Sequence, residues 1–298
     1  MCIHNRGMGS QPKAYLDHTF LKSEDARPIR ILAEYLEPQR RFKLQNIQDT
    51  VVFFGSARIH SREAAQHALD ELIKTHAVGS SSEVDEILGR GRRAVEWSRY
   101  YEEARELARL LTEWSLTLES THHRFVVTSG GGPGIMEAAN RGAVDAGGKT
   151  IGLNISLPHE QGPNPYITDG LHFEFHYFFM RKFWFAYLAK ALVIFPGGFG
   201  TLDEMFEILT LMQTEKLAKQ IQILLYGSEY WDPILNMKPL VEWGAIAEKD
   251  VQLLSRADTP DTAFERLKEH LTKYHLTPPT VQEKKAPGIA RTRSGARS

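Results

Sequence analysis

The sequence predicts an α/β protein with a doubly wound, mostly parallel, Rossmann-like sheet in a single domain. Short apolar segments alternate along the chain with amphipathic helical patterns. This alternation is typical of a parallel sheet whose two faces are covered by helices. Two glycine-rich segments also follow strand-like runs directly, and turns of this kind lie at the ligand-binding edge of such sheets.

The predicted elements follow from these patterns in chain order. Strands are predicted where a short apolar run is bounded by polar or glycine residues, at 50–54, 125–128, 150–154, 172–176, 192–195 and 221–226. Helices are predicted where apolar residues recur at helical spacing, at 61–74, 95–118, 134–146, 178–189, 201–214, 233–242 and 261–274. Strands and helices therefore take turns through most of the chain.

Three segments fall outside this regular alternation. Residues 1–48 are polar and charged, and we expect an N-terminal extension that packs on the main domain, which spans 49–277. An insertion at about 79–93 is rich in small and charged residues, including an arginine cluster, and is predicted to be a mobile loop with a solvated face. The tail at 278–298 is basic and almost without apolar residues, which predicts disorder.

Composition excludes several classes of partner. The formal net charge is −1, so no general attraction to nucleic acid or to an anionic membrane is expected. The most apolar stretch, Tyr177 to Phe195, contains Arg181, Lys182 and Lys190, which would be costly in lipid. The beginning of the chain lacks the apolar core of a signal peptide. With a single cysteine, Cys2, the chain can form no internal disulfide, and we expect a reducing, cytoplasmic location.

The two glycine-rich segments read SGGGPG (129–134) and PGGFGTLDE (196–204), and each precedes a predicted helix. Glycines let a ligand approach the backbone closely, and a helix N-terminus offers free N–H groups and partial positive charge. Both turns are therefore predicted phosphate cradles. Neither matches GxGxxG, and Gly147-Gly-Lys-Thr150 lacks the first glycine of a Walker A motif, so no dinucleotide or triphosphate is indicated.

The acids of the second segment have two interpretations. Asp203 and Glu204 could be charges in the first helical turn, where the helix dipole stabilises carboxylates. Thr201, however, is already a plausible N-cap, and a carboxylate beside a phosphate cradle would repel the ligand unless it had a chemical role. Cleavage of an N-glycosidic bond supplies such a role, because a carboxylate can stabilise the developing oxocarbenium ion or act on water.

The ordered motifs GGGPGIMEAANRGA, Met180-Arg-Lys182 and PGGFGTLDE resemble the LOG ("Lonely Guy") family, often labelled lysine decarboxylase-like. The similarity covers roughly residues 50–256, and PGGxGTxxE matches without exception. Characterised members are cytokinin riboside 5′-monophosphate phosphoribohydrolases, and related bacterial proteins hydrolyse AMP. The resemblance thus implies a LOG-type Rossmann-like fold and an N-glycosidase that acts on a nucleoside 5′-monophosphate. It also implies a homodimer or higher homo-oligomer.

Carried over by position, the resemblance implies a catalytic pair. Glu204 would act on the ribose or on the attacking water, while Arg181 would orient the substrate and counter developing negative charge. The implied substrate and phosphate contacts are Gly55, Ser56, Gly131, Gly132, Gly134, Glu137, Met180, Lys182, Gly198, Gly200 and Thr201. No cofactor and no metal are implied, and His172, Glu174 and His176 are taken as a polar edge rather than a metal triad.

Some alternatives stay open at this stage. The extra N-terminal residues and the insertion resemble the longer bacterial branch, which favours AMP-like substrates over cytokinin nucleotides. A nucleotide-binding or carrier protein without turnover would use both cradles equally well. A protein that binds single-stranded DNA is disfavoured because the folded region lacks a basic stripe. Pyridoxal-dependent decarboxylation is disfavoured because no lysine is singled out for it.

Overall fold

The computed structural model describes residues 12–76, 82–156, 162–217 and 219–277. The sheet has seven strands, all parallel: β1 (Thr50–Phe54), β2 (Val126–Ser129), β3 (Thr150–Ile155), β4 (His172–Phe175), β5 (Ala189–Ile194), β6 (Gln222–Tyr226) and β7 (Leu254–Ala257). The helices are α1 (His18–Lys22), α2 (Arg27–Leu44), α3 (Arg62–Thr75), α4 (Ser82–Trp97), α5 (Arg99–Leu116), α6 (Ile135–Asp145), α7 (Phe178–Leu188), α8 (Phe199–Gln213), α9 (Ser228–Ile234), α10 (Lys238–Glu242), α11 (Glu248–Val251) and α12 (Pro260–Leu271).

The strand order is β4-β3-β2-β1-β5-β6-β7. From β1 the chain winds outward through β2 and β3 to β4, returns to the other side of β1, and winds outward again from β5 to β7. The predicted doubly wound α/β fold is therefore confirmed. Its topological switch point lies between β1 and β5, where ligands bind in sheets of this type.

Two apolar layers enclose the sheet. One face packs on α2, α7 and α8 through side chains such as Phe42, Trp184 and Met205. The other face packs on α5, α6 and α12 through side chains such as Leu107 and Leu267. The strands read as nearly continuous apolar runs because both of their faces are buried.

The N-terminal segment lies against one edge of the sheet. Arg41 of α2 donates to the carbonyl oxygens of Gly170 and His172 at 3.2 and 2.7 Å, and its guanidinium stacks on Phe173 at 3.9 Å. Phe42 packs on the same ring. Helix α2 therefore covers β4, whose outer edge has no neighbouring strand in the described part of the chain.

The predicted loop at about 79–93 is wrong for its described part, because residues 82–93 belong to α4. The glycines there serve close packing: a Cβ on Gly91 would press against Leu69 of α3 at 2.9 Å. Residues 79–81 and the tail at 278–298 lie outside the described residues. The short strand β7 and the division of 233–242 between α9 and α10 were also not predicted.

None of the helices in the described ranges combines the length and the apolar composition that crossing a bilayer requires.

Candidate active site

Three loops meet at the carboxyl edge of the sheet around the switch point. Ser56, just after β1, donates its backbone N–H to the carbonyl of Pro196 at 2.9 Å. The carbonyl of Ser56 accepts from the N–H of Ile135 at 3.1 Å, and its Oγ accepts from the N–H of Arg58 at 3.1 Å. Ser56 is thus hydrogen-bonded to both predicted phosphate cradles, the one after β2 and the one after β5.

The glycines of the β2 loop allow close backbone packing. Gly131 and Gly134 adopt φ values of +77° and +71°, which disfavour residues with side chains. A Cβ on Gly134 would overlap the backbone of Ser56 and Ala57, and one on Gly132 would meet Met136 at 2.9 Å. These glycines are buried and bring the loop against its neighbours.

Buried polar side chains hold this loop in place. The amide nitrogen of Asn164 donates to the carbonyls of Gly131 and Gly132, both at 3.0 Å, and to Oδ1 of Asn140 at 2.9 Å. Ser129 Oγ also donates to Asn140 Oδ1, at 2.7 Å, and accepts from the Gly131 N–H. Sequence reasoning missed this network, although Asn140 lies within the GGGPGIMEAANRGA motif.

The glycines of the β5 loop face open space instead. A Cβ on Gly198 or Gly200 would meet no atom within 4 Å among the described residues. Tyr230 fixes the start of the loop by donating to the Gly197 carbonyl at 2.9 Å. Helix α8 begins at Phe199 with Gly198 as its N-cap, so the N-cap expected at Thr201 is wrong. The Thr201 side chain is buried against Gly197.

This early start of α8 changes the meaning of its acids. The first turn of the helix contains no acidic residue, and Asp203 and Glu204 lie in the second turn. The interpretation of both as simple first-turn charges therefore fails. Glu204 points inward and is nearly buried, whereas Asp203 is exposed.

Glu204 and Arg181 meet in a partly satisfied pair. Their closest contact joins Arg181 Nη2 and Glu204 Oε1 at 3.3 Å, with side-chain exposures of 16% and 7%. Within the described residues, Arg181 Nε is buried without a hydrogen-bond acceptor. The guanidinium lies over the rings of Phe178 and Phe185, with centroid distances of 5.2 and 5.7 Å. One donor of a nearly buried cation is thus free for another acceptor.

Burial raises the pKa of Glu204 to about 7, because a buried carboxylate loses its hydration. The positive charges of Arg181 and then Lys182 act in the opposite direction, and the negative charges of Glu207 and Asp203 add to the rise. Glu204 is therefore close to half-protonated at neutral pH. A carboxyl group in this condition can give or accept a proton during a reaction.

Lys182 joins α7 to α8. Its Nζ contacts Asp203 Oδ2 at 2.7 Å and Glu207 Oε2 at 3.0 Å. Burial alone would lower the pKa of Lys182, but the hydrogen bonds with Asp203 and Glu207 outweigh it and raise that pKa. The lysine is a cation that braces the helix carrying Glu204.

Two predicted contact residues, Met180 and Glu137, contact other parts of the protein. Met180 is buried in the core and lines an apolar groove of ≈ 690 Å³ between α2 and α7. Glu137 accepts a hydrogen bond from Tyr101 of α5 at 2.6 Å. Burial, together with this hydrogen bond, raises the pKa of Tyr101.

No cluster of three or more histidine, cysteine or acidic side chains that could hold a metal ion occurs in the described ranges. His172 and Glu174 lie at the sheet edge with 3.8 Å between Nε2 and Oε2. Apart from Met180 and Glu137, the predicted site residues lie on the elements that meet around the switch point: Gly55, Ser56, Gly131, Gly132, Gly134, Arg181, Lys182, Gly198, Gly200, Thr201 and Glu204.

The chain resembles known proteins in the same region. Residues 136–267 match the family model described as possible lysine decarboxylase. The cytokinin riboside 5′-monophosphate phosphoribohydrolase LOG of Oryza sativa subsp. japonica is 28% identical over 194 residues, which cover 63% of this chain and 72% of the relative. The enzyme of the same activity from Rhodococcoides fascians is 29% identical over 118 residues, covering 37% and 56%.

Solved structures give weaker likenesses. The molybdenum cofactor binding protein of Rippkaea orientalis aligns with a TM-score of 0.40 at 20% identity, over 58% of this chain and 88% of that one. The Moco carrier protein of Chlamydomonas reinhardtii aligns with a TM-score of 0.41 at 19% identity, over 76% and 99%. Neither likeness bears on function at these scores. The sequence matches confirm the resemblance to the LOG family that the glycine motifs carry.

Proposed function

We propose that the protein is a nucleoside 5′-monophosphate N-glycosidase, a phosphoribohydrolase that releases a free base and ribose 5-phosphate. The observation that carries this proposal is the nearly buried Glu204–Arg181 pair at the switch point, beside the open glycines of the β5 loop. The similarity to curated phosphoribohydrolases supports the same reaction.

In this proposal each group binds or acts on one part of the substrate. The 5′-phosphate sits at the N-terminus of α8, where Gly198 and Gly200 leave the backbone accessible and the helix dipole favours negative charge. Glu204 lies one turn further along the helix, and in this proposal its carboxylate acts on the ribose rather than on the phosphate. Arg181 offers its free Nε–H to an oxygen of the bound nucleotide.

Hydrolysis breaks the bond between C1′ and the base nitrogen. The sugar develops oxocarbenium character, which the carboxylate of Glu204 stabilises electrostatically. A water molecule adds its oxygen to C1′ as the bond to the base breaks, and Glu204 takes a proton from that water. The departing base nitrogen takes a proton from solvent, and Glu204 returns its own proton to solvent, so that the net change is the addition of one water. Arg181 lowers the pKa of Glu204 from the value that burial alone would set, so that a carboxylate is present near neutral pH.

We further propose AMP-like nucleotides as substrates, a homo-oligomeric assembly and a cytoplasmic location. The half-exposed rings of Phe178 and Phe179 on α7 support an assembly, because large exposed aromatic side chains are enriched at protein interfaces. The single cysteine, Cys2, is compatible with a reducing compartment.

The test is a chromatographic assay of the purified protein with AMP and, in parallel, with isopentenyl-adenosine monophosphate, without added metal or cofactor. We expect free base and ribose 5-phosphate in equal amounts, with AMP cleaved faster. If both nucleotides bind but neither yields a free base, the protein is a nucleotide carrier and the proposal is wrong.

A further inference from the structure

Helix α7 presents Arg181 to Glu204, yet its own sequence caps neither of its ends. Its N-cap residue, Tyr177, makes no capping hydrogen bond with its side chain, and α7 has no acidic residue in its first turn and no basic residue in its last. The groups that normally stabilise helix ends must therefore come from other segments.

The N-terminal end is capped by a distant glutamate. Glu34 of α2 accepts from the backbone N–H of His176 at 2.8 Å through Oε1 and from that of Tyr177 at 3.2 Å through Oε2. The carboxylate also places negative charge at the positive end of the helix dipole. A residue 142 positions away in sequence thus takes the place of a local cap.

The same turn of α2 reaches further along α7. The carbonyl oxygen of Glu34 accepts from the indole N–H of Trp184 at 2.9 Å. Tyr35 packs its ring on Phe183 and Trp184, with centroid distances of 5.5 and 5.9 Å. The contacts of Glu34 and Tyr35 therefore fall on both sides of Arg181, at Tyr177 and at Trp184.

The C-terminal end of α7 is held by a lysine. Lys219 Nζ donates to the carbonyls of Ala186 and Tyr187 at 2.6 and 2.7 Å. In its protonated form Lys219 complements the negative end of the dipole, while burial lowers the pKa of this ammonium group to about 7. Both ends of the helix are thus hydrogen-bonded by side chains from segments far away in sequence.

We propose that Glu34 is a positioning residue for Arg181, so that the N-terminal helix α2 is part of the catalytic apparatus and not only a cover for the sheet edge. This inference rests on the proposed function for its effect on turnover. Arg181 has one contact with Glu204, at 3.3 Å. A small displacement of α7 therefore changes that contact, whereas a carboxylate held by many bonds would be less sensitive.

The experiment compares Glu34→Gln and Glu34→Ala with the control Glu37→Gln. Glu37 lies one turn further along α2, and its carboxylate pairs with Arg41 rather than with a group of α7. The first measurement is amide hydrogen exchange of His176 and Tyr177, which does not depend on any activity. We expect exchange at least roughly tenfold faster in Glu34→Ala, an intermediate rate in Glu34→Gln, and the wild-type rate in Glu37→Gln.

The second measurement is the rate of base release from AMP as a function of pH. In Glu34→Ala we expect kcat to fall roughly tenfold to a hundredfold, with KM changed less, because the catalytic groups are misplaced rather than lost. The acidic limb of the profile should move to higher pH. The positive charges of Arg181 and Lys182 favour the charged form of Glu204, and the negative charges of Asp203 and Glu207 oppose it. Glu34 affects this balance through the position of Arg181. A purely structural role would lower the melting temperature without moving this limb.

The outcomes separate the inference from the proposed function. If the wild type releases no base, the proposed function fails, and amide exchange alone decides whether Glu34 holds α7. Wild-type exchange at His176 and Tyr177 in Glu34→Ala overturns the inference, and so does equal loss of kcat in Glu34→Ala and Glu37→Gln. Should Glu34→Ala not fold, Glu34→Gln gives the same comparison with a milder change.

Discussion

Two buried acid–arginine pairs lie at opposite edges of the sheet, and they differ in how completely their charges are satisfied. At the amino edge, Asp49 is 1% exposed and accepts from Arg124 Nε at 2.9 Å, from Arg124 Nη2 at 2.8 Å and from the Phe125 N–H at 2.7 Å. Arg124 also donates to the carbonyl of His275 at 3.0 Å. At the carboxyl edge, Glu204 and Arg181 share one contact of 3.3 Å.

The difference indicates which pair maintains the fold and which is available for chemistry. The Asp49–Arg124 pair joins the starts of β1 and β2 to the segment after α12 through several hydrogen bonds. Arg181 keeps a buried Nε–H without an acceptor in the described residues, and burial raises the pKa of Glu204. A pair that is costly to bury and incompletely bonded is typical of functional sites.

The largest effect is expected from Glu204→Gln. Removal of the carboxylate should lower base release from AMP by about 10³-fold, because the oxocarbenium ion and the attacking water both lose their partner. Binding of AMP, measured by calorimetry, should change by less than about tenfold. Asp203→Asn is the matched control, since Asp203 is exposed and pairs with Lys182. Equal losses in both variants would contradict a chemical role for Glu204.

Asp49→Asn should lower the stability of the fold and leave the activity unchanged. The change leaves the charge of Arg124 buried without its partner, which costs about 3 kcal/mol in the free energy of unfolding. Urea denaturation measures this loss, and base release per folded molecule should stay unchanged. The control Asp145→Asn removes a pair that is about one-third exposed, with Arg105, and should cost less than about 1 kcal/mol. A stable but inactive Asp49→Asn protein would reverse the assignment of the two pairs.

Arg181→Gln should lower kcat by about a hundredfold and also move the pH profile. Arg181 is the leading influence that lowers the pKa of Glu204, so its loss raises that pKa above about 7. If the carboxylate is the active form, activity then appears only at higher pH, and the acidic limb shifts in the alkaline direction. Arg141→Gln, on α6 at the other face of the sheet, is the control. An acidic limb that stays in place or moves to lower pH would show that Arg181 does not act on Glu204.

A smaller effect is expected from Asn164→Ala. The change removes three hydrogen bonds that hold the β2 loop, two of them to the carbonyls of Gly131 and Gly132. We expect KM for AMP to rise about tenfold with kcat changed less, because loop order affects binding of the ground state and of the transition state alike. The exposed Asn236→Ala serves as control in the same steady-state assay. An unchanged KM would mean that the β2 loop does not bind the nucleotide.

The fold could be predicted from the sequence, and Arg181 and Glu204 could be singled out as the proposed catalytic pair, because both depend on local patterns. Strands, helices and the PGGFGTLDE motif can each be recognised from a short stretch of sequence. Arg181 and Glu204 were identified because they lie within such motifs. Helix α4 was missed because Gly89 and Gly91 suggest a loop, whereas Gly91 allows close packing on α3. The caps of α7 and the bonds of Asn164 could not be predicted, since their partners are far away in sequence.

The most direct test of this account is the titration of Glu204 itself. Carbon-13 NMR of the side-chain carboxyl groups, with the Glu204 signal assigned by its absence in Glu204→Gln, gives the protonation midpoint in the free protein. The account predicts a pKa of about 7, set by burial against the charge of Arg181. A midpoint near 4.5, the ordinary value for a glutamate, would show a solvated carboxylate and would contradict the central claim.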